Sequence, residues 1–514
     1  MAWWSTACSP ALDALPPFWL GLLAIWLFAW KLDWLPASHM RRAGAQGFDL
    51  PDLLRHLLLP ALVIGVPSAA AVARHHATRL AESLAGAAAL AGRAMGLPRR
   101  VLLRRALRES AQPVVALAGL ALPVTVGGAV VVEVVFSWPG LGRVHHQALE
   151  ARDLPLVLGG VDPGGGGGAG RWHSHRSARR LARSPPASRL GGGAVRRAWL
   201  LLALLPLAAA AGPWLAPADP LVSPDPVNLK LLPPVSQARA LVRLDGSLLP
   251  LARDAEPGFR VEGSRVRYLR GRRWVEVDLA ALQRQPGGAP RLTTTYFPLG
   301  TDRFGRDLLS RLLVGARTSL LVGLGAVLLA GWLGALAGLT GGLFGGWVDA
   351  ILSRLGDALL AVPRIVLVMA IAALWRPAPW GIALLVGLTG WAPIARMVRA
   401  EVRSWAESER VLAARAAGAG PGRIAWRHLG PLAAPTVLVA MSLRVGPFVL
   451  LEAALSFLGF GIAPPLPSWG NILADGRDLL FEAWWLTAFP GLALALAVLL
   501  ANAGADRLRE GLVE

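Results

Sequence analysis

Two glutamates stand at the same place in two related stretches. EVVFSWPGLG (residues 133–142) and EAALSFLGFG (residues 452–461) share the Glu, a Ser and two glycines. A carboxylate at the end of an apolar helix is costly unless it is paired or wet. Glu133 and Glu452 therefore read as path-lining groups, as contacts for an external protein, or as structural partners of a loop amide or arginine. Covalent chemistry has no comparable candidate. A Ser/His, paired-Asp or zinc constellation within apolar helices is missing, as are HExxH and GxSxG. Lys31 and Lys230 are the only lysines and neither follows a glycine-rich loop, so the chain has no phosphate cradle and is not itself a P-loop ATPase. Cys8 is the single cysteine, which excludes an intrachain disulfide and a thiolate metal cluster. His75-His76 and His145-His146 read as interfacial pairs without further metal ligands. No metal site and no catalytic residue is assigned.

A second repeated feature is basic. AGRAMGLPRRVLLRRALRESAQP (residues 91–113) aligns without gaps to AARAAGAGPGRIAWRHLGPLAAP (residues 413–435). The copies share Ala91/Ala413, Arg93/Arg415, Ala94/Ala416, Gly96/Gly418, Arg105/Arg427, Leu107/Leu429, Ala111/Ala433 and Pro113/Pro435. A short Ala-rich helix there presents Arg93 or Arg415 from a surface of small side chains, so another protein can approach closely. Gly96 or Gly418 supplies the left-handed conformation that ends it. A basic amphipathic turn then leads to Pro113 or Pro435. A solvated basic loop held inside by charge accounts for the arginines but not for the identical spacing, and a rigid docking knob is the stronger reading.

The elements that must carry these features are membrane helices. The chain is 54% hydrophobic and only 16% charged, against about 25% in soluble proteins. Its net charge of +20 would suggest nucleic acid in a polar chain, but here the arginines cluster in short connections between apolar runs. That pattern marks loops facing the positive-inside side of a bilayer, and no nucleic-acid partner is expected. Spanning helices are predicted at residues 15–32, 56–74, 111–136, 198–217, 318–341, 350–374, 380–397, 433–458 and 484–503. No charged region precedes the first run, so that span is expected to do the targeting without a cleaved signal. Residues 161–193 interrupt an apolar run with Gly, Arg, Pro, Ser and His, including His173 and His175. This junction reads as an out-of-frame join or a flexible linker. Residues 218–297 form an extramembrane insert, in which GFRVEGSRVRYLRGRRWVEVDL (residues 258–279) reads as a β-hairpin.

The knob resembles the EAA loop of importer-type ABC transporter permeases. PLGTDRFGRDLLSRLLVGARTSLLVG (residues 298–323) and LSFLGFGIAPPLPSWGNIL (residues 455–473) resemble the C-type subunit of dipeptide, oligopeptide and nickel permeases. FSWPGLGR (residues 136–143) and the apolar run from Pro17 resemble the partner B-type subunit. Two departures stand out. LAARAAG (residues 412–418) has Glu409 as its nearest upstream acid, and LAGRAMG (residues 90–96) has no acid in that turn. The resemblance implies an all-α polytopic membrane protein, an ABC importer (type I) helix bundle with a small extramembrane insert. Its expected parts are a truncated B-type fragment (1–160), the junction (161–195), the first C-type helix (196–217), the insert (218–297) and the C-type transmembrane domain (298–514).

The implied function is passage of peptide-like solutes across the inner membrane. ATP and Mg on separate ATPase subunits would drive it, with no cofactor on this chain. Expected partners are those ATPases, a B-type permease, an extracytoplasmic solute-binding protein and the bilayer. Glu409, Ala413, Ala414, Arg415, Gly418, Arg427 and Pro435, with Arg93, Gly96, Arg105 and Pro113, are the expected ATPase-coupling residues. Glu452, Ser456, Gly459, Trp469, Asp302, Arg306, Asp307 and Glu133 are candidates for the translocation path or for contact with the binding protein. Asp302, Arg306 and Asp307 have helix capping as their alternative role. Asp349, Arg354 and Asp357 read as interfacial, with an Arg354–Asp357 pair. Cytoplasmic coupling loops and a cytoplasmic C-terminus follow from Arg196, Arg197, Arg507 and Arg509. A proton-coupled secondary transporter, which needs acids at the midplane, and a partly non-functional fused product are the competing readings.

Overall fold

Apolar runs without internal hydrogen-bond partners in lipid must close their own backbone bonds, and nearly all of them here are helical. A computed structural model of the protein describes residues 14–42, 44, 47–153, 155–157, 192–252, 258–375 and 377–513. His173, His175 and nearly all of the 161–195 junction lie outside the described residues, as do the side chains of His75 and Pro113.

In the first part, α1 (Pro17–Ala24) continues into a wider π-turn (Ile25–Lys31), followed by α2 (Leu50–Ala85), α3 (Ala87–Ala94), α4 (Arg99–Val135) and α5 (Leu141–Ala151). The second part holds α6 (Gly192–Leu215), α7 (Leu308–Phe344), α8 (Gly346–Ala361), α9 (Arg364–Trp375), α10 (Pro379–Gly390) and α11 (Ala392–Ala406). It continues with α12 (Glu409–Ala416), a short turn α13 (Pro421–Arg423), a π-segment (Ile424–Leu429), α14 (Gly430–Phe457), α15 (Trp469–Arg477) and α16 (Trp485–Val513). Five stretches among the described residues are long and apolar enough to span a membrane: Leu50–Ala70, Val195–Leu215, Leu308–Phe344, Pro421–Phe457 and Trp485–Leu512.

Two predicted spans are not straight. The run at 350–374 breaks between α8 and α9 with a bend of 84°, and the run at 380–397 bends by 44° between α10 and α11. Pro363 explains the first, because the residue before a proline is pushed out of the helical region and Val362 is extended at φ −98°, ψ 134°. Counting both bent pairs, up to seven spans are present among the described residues.

The insert differs from the expected single hairpin. Among the described residues six strands form two antiparallel sheets, ordered β2-β1-β6 and β3-β4-β5. Residues 258–279 supply the second: β3 (Phe259–Glu262), β4 (Arg265–Arg270) and β5 (Arg273–Asp278). The first pairs β1 (Ser236–Val242) with β2 (Leu248–Pro250) and, from Ser236 opposite Phe297 to Leu241 opposite Leu292, with β6 (Leu292–Phe297). Leu241, Leu251, Val266, Tyr268 and Leu282 form its buried core.

The described residues divide into two compact units, one within Met1–Ala203, Gly323–Leu451 and Leu494–Glu514, the other within Leu204–Val322 and Glu452–Ala493.

Candidate functional site

The basic sequence repeat is a repeat of backbone geometry. At the end of α3, Met95, Gly96 and Leu97 donate their N–H groups to the carbonyls of Ala91, Arg93 and Gly92, each at 3.0 Å. At the end of α12, Ala417, Gly418 and Ala419 donate to Ala413, Arg415 and Ala414 at 2.9, 2.9 and 3.0 Å. The register is the same. Gly96 (φ +73°) and Gly418 (φ +79°) hold the left-handed position in both, which a residue with a Cβ adopts only with strain. Pro98 and Gly420 then return the chain to extended geometry before the next helix.

Arg93, Arg105, Glu409, Ala413, Arg415, Gly418 and Arg427 are exposed, and Ala414 is half-buried. Trp426 is 77% and Met95 72% exposed. These apolar side chains next to guanidiniums were not singled out in the sequence, where one Trp among many carries no signal. Their arrangement fits contact with another protein, since Trp, Met and Arg are enriched where proteins meet. Pro435 lies inside α14 rather than at its start.

Behind the second knob, α11 is clamped on two sides. Gly334, Gly338 and Gly342 of α7 face Ile394, Val398 and Val402 so closely that an added Cβ would stand 2.6–2.7 Å from the β-branched side chains. This four-residue spacing is a small-residue seam that lets two membrane helices touch backbone to side chain. It was legible in the sequence but not recognised. On another face, buried Asp349 of α8 pairs with Arg399 and, at 2.9 Å, with Arg403 Nη2. Asp357 pairs with Arg396 of α11, which replaces the predicted Arg354–Asp357 pair. Two acids of α8 are thus tied to α11, the helix that feeds the knob.

The candidate residues near the other helix ends are occupied locally. In one unit, the carboxylate of Glu133 accepts the Arg143 N–H at 2.9 Å, and an added Cβ on Gly140 would collide with it. In the other unit, Glu452 is 0% exposed and accepts the Ser456 hydroxyl at 2.7 Å. Ser456 Oγ in turn accepts the Ile462 N–H at 3.0 Å. Glu133 binds the turn that follows its own helix directly and Glu452 does so through Ser456, and of the three readings the structural one describes their observed contacts. Gly459 is exposed at φ +85°.

Asp302, Arg306 and Asp307 are buried rather than surface groups. Asp307 accepts the Ser310 N–H at 2.8 Å and so caps the start of α7. Asp302 accepts Arg306 Nε at 2.7 Å, and also holds Arg311. Arg303 reaches Asp475 at 2.7 Å. Trp469 is buried, donating Nε1–H to the Leu312 carbonyl at 3.1 Å. His145 and His146, expected to be interfacial, are buried in α5.

A family profile described as "Binding-protein-dependent transport system inner membrane component" matches residues 2–168 and 313–513. A di/tripeptide transport system permease protein of Pseudomonas aeruginosa is 39% identical over 216 residues, covering 42% of this chain and 71% of the relative. A putative peptide transport system permease protein of Brucella suis is 40% identical over 226 residues, 44% of this chain and 74% of that one. A dipeptide transport system permease protein of Alkalihalophilus pseudofirmus is 39% identical over 213 residues, 41% and 70% respectively.

Proposed function

The chain belongs to the family of binding-protein-dependent transport system inner membrane components, and on that premise we propose that it carries peptides inward, driven by separate ATPase subunits. It is a multi-pass membrane permease of the peptide type, and the knob closed by Gly418 is where an ATPase pushes on it. The observation that carries this reading is the repeated hairpin: two copies with one hydrogen-bond register, both exposed, the second fed by a helix locked to α7 and α8.

In this reading both knobs and the C-terminus face the cytoplasm, where Arg196 and Arg197 lie in the first turns of α6 and Arg507 and Arg509 lie in the last turns of α16. The insert lies outside, on the side of a solute-binding protein. ATP and magnesium sit on the partner subunits, and ATP is hydrolysed there. A B-type permease chain completes the complex. Residues 409–435 are the working copy, since they join a complete set of helices from α6 to α16.

Reconstitution in proteoliposomes with the ATPase and binding-protein subunits tests it. Uptake of a radiolabelled dipeptide is expected only with ATP. Uptake that runs on a proton gradient without ATP would replace this reading with secondary transport.

A further inference from the structure

Two arginines in the spanning helices have no place in the coupling device. Arg364 opens α9 directly after the 84° break, and Arg444 lies in α14. At about 1.5 Å per residue, Arg444 is roughly 20 Å from either end of its helix at Gly430 and Phe457. That is deep relative to an apolar layer of about 30 Å.

Nε and Nη2 of Arg364 are sealed from solvent and have no hydrogen-bond partner. The charge of Arg444 acts on Arg364 unfavourably. Among the described residues no carboxylate pairs with either, and the acids of α8 are held by Arg396, Arg399 and Arg403. The guanidinium carbon of Arg364 lies 4.2 Å from the centroid of the buried Phe448 ring, which holds its plane. Gly390, the last residue of α10 before the 44° bend, lets Phe448 and Arg364 pack directly against the α10 backbone. A Cβ there would stand 3.3 Å from Arg364 Nη2 and 2.5 Å from Phe448. A helix N-terminus, a guanidinium with two unpartnered nitrogens and a residue without a side chain therefore meet where two spans break, within reach of the charge of Arg444.

A charge inside a membrane marks a solute or ion path and calls for a partner. Broken helices offer their N-termini to anionic groups of the solute. We propose that Arg364 and Arg444 form a carboxylate-binding station on the translocation path, which takes the C-terminal carboxylate of the peptide as it passes. The inference rests on the peptide reading above. A guanidinium grips a carboxylate through two N–H donors, and Arg364 has two unsatisfied ones. An acid from a partner permease chain is the other way to neutralise the pair.

The test is ATP-driven uptake by the reconstituted full complex of alanylalanine and of its C-terminal amide. The complexes compared are unsubstituted, Arg364→Gln, Arg444→Gln and Arg444→Lys. The binding protein is the same throughout, so its own preference cancels in the comparison. The acid-to-amide uptake ratio is expected to fall about tenfold in both glutamine variants, the loss of a charge-assisted pair, and to be kept in part by lysine. An unchanged ratio in both glutamine variants, whether uptake is normal or uniformly weakened, overturns the inference and leaves the peptide reading standing. Loss of the partner permease chain on purification of the glutamine variants also overturns it, in favour of an intersubunit ion pair. No ATP-driven uptake of either compound by the unsubstituted complex overturns the peptide reading and the station together.

Discussion

Asp349 accepts Arg403 Nη2 at 2.9 Å while also holding Arg399, so one buried carboxylate of α8 serves two guanidiniums one turn apart on α11. Arg399 and Arg403 are partly exposed, and each pair alone contributes modestly, about 1 kcal/mol or less. Their value is positional. They join α11, which carries the knob, to the helix that precedes the 84° break. Asp349→Asn is expected to lower peptide-stimulated ATP hydrolysis several-fold, with basal hydrolysis and membrane insertion retained. Unchanged stimulation in proteoliposomes would show that α8 takes no part in transmission.

The knob itself gives a sharper contrast. A Cβ on Gly418 would meet nothing within 4 Å, so substitution there acts through the backbone alone. The left-handed conformation costs an L-residue roughly 1–2 kcal/mol, and β-branched residues tolerate it least. Gly418→Val, and separately Arg415→Glu, are expected to abolish transport-coupled ATPase activity in a protein that still inserts. Gly96→Val, which makes the same change in the first copy, is expected to leave coupling near its unsubstituted level. Equal losses at both glycines would assign the two knobs equal roles.

Local signals account for what was readable in advance. The spans follow from apolar runs, and the knob follows from a repeat whose Gly-to-Arg spacing survives in both copies. Three other features depend on pairs distant in sequence. β1 finds β6 across more than forty residues of chain, and nothing in Ser236–Val242 announces that partner. Pro363 was visible, yet proline is common within membrane helices, and only the extended Val362 shows that this one breaks the span. Glu133 and Glu452 stand out in the sequence as costly carboxylates, and Asp302 and Asp307 only as a polar turn before a helix. Whether such a group faces a path or a turn amide depends on where the neighbouring loop folds: the Arg143 amide reaches Glu133 directly, and the Ile462 amide reaches Glu452 through Ser456.

Asp302 is the best case of that cost. It is 0% exposed and holds both Arg306 and the buried Arg311. Removing one partner of a buried ion pair typically costs about 3–5 kcal/mol, because the remaining charge is left without compensation. Asp302→Ala is expected to reduce folded yield and to lower the thermal midpoint of the detergent-solubilised protein sharply. Asp478→Ala, at an exposed pair with Arg477, serves as the control and is expected to shift it little. Similar shifts in the two variants would place the Asp302 network on the surface in energetic terms.

His145 supplies a pH dependence of definite sign. Its two ring nitrogens are buried without partners, and burial, together with the neighbouring His146, holds its pKa below the ordinary 6.5. Above about 6.5 the ring is neutral both folded and unfolded, and this histidine imposes no penalty. As the pH falls through that value the unfolded chain takes up the proton first, so stability is lost until the lowered folded pKa is reached. His145→Phe removes the titration and fills a site that makes no hydrogen bond. The thermal midpoint of the variant is expected to lie at or slightly above that of the unsubstituted protein at pH 7.5, with a wider gap at pH 5.5. Parallel midpoint curves over that range would mean that His145 becomes charged as readily in the folded protein as in the unfolded chain.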